Sequence, residues 1–280
     1  MIALATCATW PALDASDRCL AGALQARGHT VVAAPWNGPF EPFRAAAAVV
    51  VRSTWDYHHA PDAYRDWLGR LDAGRTFNAP ALIRWNLSKN HVLELGGRGA
   101  PVPRSLDVAA DAAAIAEALH TLGLREGVIK PIIGASGFGV ERVTLGAEAR
   151  ALERARARKA VDRVLVQEFL GEIVAGELAG VFFGGAFSHG LRRVPAPGDF
   201  RVNSQYGGTM RHTDLSAAIV SAMADVQALV PGDALYARID GIVHHGRFVL
   251  MEVELNEPGL GLDLAPGSAD RFADALLSRL

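Results

Sequence analysis

In VIKPIIGASGFGVERV, residues 128–143, Lys130 precedes Gly134, Gly137 and Gly139, so a cation and backbone free of Cβ atoms could close over an anion. A Walker loop puts its lysine after the glycines and follows it with Ser or Thr, which this stretch does not do. A dinucleotide fingerprint reads G-x-G-x-x-G into a helix, whereas these glycines read G-x-x-G-x-G into a strand pattern. What remains is a glycine-rich hairpin between strands at 128–132 and 140–144, entered through Lys130. A charge set among Val128, Ile129, Pro131 and Ile132 is costly unless it has a task.

A second group lies in ARIDGIVHHGRFVLMEVELNEPG, residues 237–259, which reads as two strands joined by a three-residue loop, His244-His245-Gly246. That loop sets Arg238 near Glu252 and Asp240 near Leu250. Alternation places Arg238, Asp240, Glu252, Glu254 and Asn256 on one face and Ile239, Val249, Met251, Val253 and Leu255 on the other. The acidic face either meets water, as antiparallel sheets allow, or seats Mg²⁺ bridging a polyphosphate. An acid and an amide before Pro258-Gly259 favour the metal. His244 and His245 point to opposite sides of a turn and cannot chelate one ion together.

These groups need elements to hold them. Strands at 1–8, 30–34 and 47–51 alternate with helices at 14–27 and 61–71, which predicts a small parallel sheet whose ligand-facing edge carries RSTWDYHH, residues 52–59. A linker at 78–86 leads to a helix at 87–97 and an extended PVPRS, then a helix at 111–122. After the glycine hairpin come a helix at 147–159 and the strand VLVQEF. Beyond Gly176 the pattern is mostly antiparallel, with a loop at 195–208 and helices at 214–229 and 269–280. The class is mixed α/β (α+β).

With 280 residues, half of them apolar, the chain can bury a sizeable core. A net charge of −2 gives no general attraction for nucleic acid or an anionic membrane, so any anion is bound locally. The longest apolar run, 45–51, falls far short of the ~20 residues a spanning helix needs. Cys7 and Cys19 form no framework, which suits a reducing cytoplasm, and a homodimer is compatible with the sequence.

The order of these parts resembles that of the ATP-grasp enzymes. Lys89, in RWNLSKNHVLELGG, and Lys130 stand at the two lysine positions of that superfamily, and Gly134, Ala135, Ser136, Gly137, Phe138 and Gly139 at its phosphate-covering loop. Gln167, Glu168, Phe169 and Leu170 are similar to the adenine-holding hinge, and Glu177 to the acid that takes the ribose hydroxyls. Asp240, Glu254 and Asn256 match the metal ligands and Arg238 the arginine that stabilises an oxyanion; Glu252 is an extra carboxylate, so which glutamate bridges two Mg²⁺ ions is open. The segment LRRVPAPGDFRVNSQYGG resembles RimK-like and glutathione-synthetase-like ligases, which implies that Arg201 and Asn203 approach substrate or phosphate. Towards the N-terminus, RSTWDYH and RWN are similar to a bacterial subgroup that includes the ligase closing the D-cycloserine ring; Thr54, Trp55, Asp56 and Tyr57 are then substrate candidates.

The resemblance implies an N-terminal domain over 1–85, a central subdomain over 86–170 and a C-terminal subdomain over 171–280. It also implies ATP and Mg²⁺ as cofactors, small carboxylate and amine substrates, an acyl-phosphate intermediate, and a lid at 195–208 that excludes water. Two other readings compete: a kinase of the same fold, which would leave a stable phosphoester, and a nucleotide-sensing module without turnover.

Overall fold

The computed structural model describes residues 1–157 and 161–280. At the N-terminus, strands β1 (Ile2–Thr6), β2 (Val31–Pro35), β3 (Ala48–Val51) and β4 (Thr76–Phe77) form a parallel sheet in the order β2-β1-β3-β4. Helices α1 (Ala15–Ala26), α2 (Glu41–Ala45) and α3 (Pro61–Arg70) connect them. The Asp14 carboxylate accepts from the Asp17 N–H at 2.7 Å and starts α1, and Gly28, at φ 85°, lets the chain leave it. Alternate residues of β1 serve opposite faces: Ile2 and Leu4 pack on Leu20, Leu24 and Phe272, while Ala3 and Ala5 join Phe43, Tyr64 and Trp67.

Where the pattern predicts a linker and one long helix, two short helices form, α4 (Pro80–Asn86) and α5 (His91–Gly97). Lys89 therefore sits in the turn between them. Side-chain bonds to a distant hairpin, described below, tether Asn86 and His91 on either side of that turn.

Strand β5 (Ser105–Ala109), which starts at the last residue of the extended PVPRS and is not predicted beyond it, then opens an antiparallel sheet completed by β6 (Glu126–Pro131), β7 (Glu141–Thr144) and β8 (Arg163–Glu168), ordered β5-β8-β6-β7. Helices α6 (Ala112–Thr121) and α7 (Glu148–Arg156) cover one face, with Ile115, Leu119 and Leu152 meeting Ile129, Val164 and Val166. The predicted end of α7 at Lys159 lies outside the described residues.

The third sheet, β11-β10-β9-β12-β13, is antiparallel: β9 (Glu177–Phe183), β10 (Ala186–Val194), β11 (Thr209–His212), β12 (Tyr236–His244) and β13 (Arg247–Glu254). Helices α8 (Ala217–Leu229) and α9 (Ser268–Leu277) pack against it. The β12–β13 turn has two residues, His245 (φ 48°) and Gly246 (φ 76°), not three. Arg238 consequently pairs with Glu254 and Asp240 with Glu252, and the register slips between Asp240 and Gly241, leaving Met251 as the extra residue of a β-bulge. Gly241 permits this approach, since a Cβ there would stand 2.4 Å from the Phe248 ring. The bulge removes Val249 and Met251 from the face they share with Val253 in a regular alternation and packs them against Leu170 and Ile173. Among the described residues no helix is long and apolar enough to cross a membrane.

Candidate active site

A cavity of about 720 Å³ opens between the three sheets. The alternation of β6 turns Val128 and Lys130 into it while Ile129 enters the core beneath α6 and α7. The Lys89 N–H donates to Ile132 O at 2.9 Å, which ties the second lysine to the end of the same strand. The Lys89 ammonium pairs with Glu252 at 2.5 Å. Burial opposes both charges, yet each holds the other: Glu252 raises Lys89 and Lys89 keeps the Glu252 carboxyl below its ordinary range. The Lys130 ammonium makes no ion pair with any described residue, and burial lowers its pKa. A half-buried ammonium with no described ion partner is a ready seat for an anion.

Opposite lies a network of arginines and acids. The Arg238 Nε and Nη2 donate to the two oxygens of Asp240, each at 2.8 Å, Nη2 also reaches Glu254 at 2.5 Å, and Nη1 donates to Gly259 O at 2.8 Å. That leaves one Nη1 hydrogen of the guanidinium without a partner among the described residues. Arg193 Nη1 donates to Asp240 and Glu177, both at 2.8 Å. Burial and Asp240 raise the Glu177 carboxyl, and burial with Asp240 and Glu252 raises Glu254. Of Arg192 and Arg193, which alternate on β10, only Arg193 lines the cavity.

Over this floor lies the glycine loop, with Ser136, Gly137 and Gly139 at φ 56°, 71° and 66°. Ala135 is buried against the N-terminal layer, and Phe138 stands 5.1 Å from His58. A Cβ on Gly137 would come within 2.7 Å of Asn203 Oδ1, so the loop touches the 195–208 segment directly. Gln205 donates to Ser136 O, and Tyr206 OH to Gly137 O at 3.3 Å. Arg201 pairs with Asp199 at 2.7 Å and lies 3.7 Å over the Tyr206 ring. Gly134, Ala135, Ser136, Gly137 and Phe138 line the cavity with Arg201, Asn203 and Gln205, whereas Gly139, predicted to share in the cover, backs onto Pro131 and Ala155 and does not.

At an apolar end the cavity meets Val128, Phe169, Leu170, Ile173 and Met251. Gln167, Glu168, Phe169 and Leu170 are all there, although the Glu168 carboxylate is engaged by Arg104 at 2.7 and 3.0 Å. The Gln167 Oε1 is buried without a partner among the described residues. A purine fits this end, since its rings match the apolar walls and its amino group suits an orphan acceptor; the glycine-rich loop and Lys130 suit phosphates.

The predicted metal trio is not assembled as expected. Asp240 is 1% exposed with both oxygens held by arginines, and it does not line the cavity. Asn256 turns away and accepts from Tyr64 OH at 2.6 Å, because β13 ends at Glu254 and alternation does not continue past it. Glu254 does line the cavity, and Glu252 beside it takes the second place. Among the described residues no group of three or more His, Cys, Asp and Glu could hold a metal ion unaided. Mg²⁺ in phosphate sites uses one or two carboxylates with phosphate oxygens and water, a demand that Glu252 and Glu254 fit.

The N-terminal candidates divide. Trp55 and Tyr57 line the cavity; Thr54 is buried against Tyr64 OH at 3.0 Å, and Asp56 accepts from Trp36 Nε1 at 2.6 Å outside it. Trp10 and Glu257 also line this end, and neither carries a motif that singles it out. Burial, then Glu254 and Glu252, push the Glu257 carboxyl up to about 8.

Residues 101–259, more than half of the chain, match the family described as prokaryotic glutathione synthetase, ATP-grasp domain. The chain belongs to the ATP-grasp family and is an ATP-dependent carboxylate–amine ligase. Residues 2–78 match the family described as the N-terminal domain of D-cycloserine synthetase DcsG. The chain is similar to the cycloserine biosynthesis protein DcsG of Streptomyces lavendulae, 27% identical over 299 residues, covering 100% of this chain and 99% of that protein. The crystal structure of D-cycloserine synthetase DcsG is similar at a TM-score of 0.85 and 25% identity over 99% of both chains. The D-alanine–D-alanine ligase of Bacillus anthracis shares the fold, with a TM-score of 0.69 at 15% identity over 99% of this chain and 96% of that one.

Proposed function

We propose that this ligase activates the carboxylate of a small amino acid or peptide-like molecule as an acyl phosphate and passes it to an amine, an intramolecular cyclisation being one form of the reaction. The observation that carries this reading is the single cavity lined by both lysines, the glycine loop, Glu252 and Glu254. Similarity over the whole chain to a cycloserine biosynthesis protein supports a small substrate derived from an amino acid.

In this reading Gln167, Glu168, Phe169 and Leu170 hold the adenine, and Glu177 takes the ribose through the oxygen that Arg193 leaves unbonded. Lys130 meets the phosphates, Lys89 joins it by exchanging Glu252 for phosphate, and the backbone of Gly134, Ala135, Ser136, Gly137 and Phe138 covers them. Glu252 and Glu254 would hold Mg²⁺, one ion or two, which when bound draws charge from the β- and γ-phosphates. Asp240 orients Arg238 and Arg193 without touching the ion, and Asn256 anchors the turn. Arg201, Asn203 and the spare Nη1 hydrogen of Arg238 meet the oxyanion formed when the amine attacks. The 195–208 loop, already bonded to the glycine loop, excludes the water that would hydrolyse the intermediate.

The test is an ADP-release screen over amino acids and dipeptides with product mass analysis. ADP, free phosphate and an amide are expected; a stable phosphoester would mean a kinase and overturn the reading.

A further inference from the structure

Five glutamates line the cavity, Glu168, Glu177, Glu252, Glu254 and Glu257. Four have a cation: Arg104 for Glu168, Arg193 for Glu177, Lys89 for Glu252 and Arg238 for Glu254. Glu257 has no ion pair with any described residue. It is the counterpart of Lys130, which likewise has no ion pair with any described residue, and each would gain from an opposite charge that the described residues do not supply.

The backbone beneath Glu257 is built to hold it still. Trp55 Nε1 donates to Glu257 O at 3.0 Å, Arg52 Nη2 to Pro258 O at 2.6 Å, and Arg238 Nη1 to Gly259 O at 2.8 Å. Three successive carbonyls are thus pinned by donors from two parts of the chain. Arg52 is itself buried and held by Asp17 at 2.8 Å.

The N-terminal layer gives aromatic walls to the part of the cavity that Glu257 shares with Glu252 and Glu254. Trp10 and Trp55 meet edge to face with ring centroids 5.6 Å apart, Tyr57 stacks on Tyr64 at 5.0 Å, and Trp10, Trp55 and Tyr57 all line the same cavity as Glu257. Mg²⁺ seeks oxygen ligands and water, whereas an organic ammonium gains from aromatic faces as well as from a carboxylate.

We propose that Glu257, with Trp10, Trp55 and Tyr57, is the subsite for the ammonium group of the substrate, so that the enzyme selects molecules carrying a free amine. The inference rests on the ligase reading above and specifies its substrate. Glu257 neutralises the ammonium at the N-terminal end of the cavity while the carboxylate to be activated extends toward Lys130 and the glycine loop.

The test runs the ADP-release assay on L- and D-amino acids, each as the free amine and as its N-acetyl derivative, on wild type, Glu257→Gln and Glu257→Asp. Mg·ATP affinity is measured in parallel by calorimetry. In wild type the free amines should turn over at least about 30-fold better in kcat/KM than the acetylated forms. Glu257→Gln should raise KM for the best free amine about 10–100-fold, narrow that gap, and leave Mg·ATP affinity and the Mg²⁺ requirement unchanged, while Glu257→Asp restores part of the loss. Equal use of acetylated substrates overturns the proposal, as does a Glu257→Gln defect that appears in Mg²⁺ requirement or ATP affinity. No ADP release from any compound, with ATP bound normally, sinks the amino-acid reading itself.

Discussion

The floor of the cavity, at Arg193, Arg238, Asp240 and Glu254, and its cover, at residues 134–139, are held by different means. On the floor each charge meets its opposite at 2.5–2.8 Å, and Asp240 is 1% exposed. The cover has left-handed backbone at Ser136, Gly137 and Gly139 and is joined to the opposite loop by the Gln205 and Tyr206 side chains. The floor's parts depend on one another; the cover is bonded to the opposite loop by two side-chain hydrogen bonds. Stability and preorganisation therefore belong to the floor, and access to the cover. Binding energy comes from groups that neither surface has matched, Lys130 above all.

The hardest test of this contrast is Asp240→Ala, which removes the carboxylate that two buried guanidinium groups share and leaves each with one carboxylate partner. It should cost about 3–5 kcal/mol in chemical denaturation and abolish ADP release; an unchanged denaturation midpoint would break the comparison. Glu254→Gln keeps the shape of the floor and should leave a folded protein whose kcat falls by on the order of 10²-fold or more at ordinary Mg²⁺. Robust turnover there would assign the metal to Glu252. Lys130→Ala should weaken ATP binding by roughly tenfold or more without lowering the melting temperature, since Lys130 has burial to overcome and no partner to lose; unchanged nucleotide affinity refutes the assignment. Tyr206→Phe removes one bond of the cover and should alter only the ADP released without an amine acceptor, by about 2–5-fold, with stability held within about 1 kcal/mol.

The candidate site was legible in proportion to how local its determinants are. Lys130 and the glycine loop were read from one strand–loop–strand pattern, and the hinge from Gln167 to Leu170 from its resemblance to a family segment; all but Gly139 line the cavity. Of the acidic face, Arg238, Glu252 and Glu254 line the cavity, but the register differs from the one the pattern predicts. One residue fewer in the turn and one extra at Met251 shift the pairing, and a bulge depends on how Gly241 meets the ring of Phe248. Asn78 and Asn86, read as linker, are clamps: Asn78 donates to Tyr236 O and Leu255 O at 2.9 and 2.8 Å, and Asn86 donates to Val253 O at 2.7 Å while accepting from Leu255 N at 2.8 Å. Nothing in their neighbours predicts partners so far along the chain.

By itself the sequence determined the elements and the chemical kinds of group they carry, because hydrophobic period, capping residues and glycine spacing act within a few residues of one another. Only tertiary structure decided which of those groups share a cavity and which are already neutralised. Trp55 reaches Glu257 across 202 positions, and Asp240 loses its place at the cavity wall to arginines on two strands. Whether a charge is free depends on every neighbour that folding brings to it, and that sum is set by three-dimensional packing, not by order along the chain.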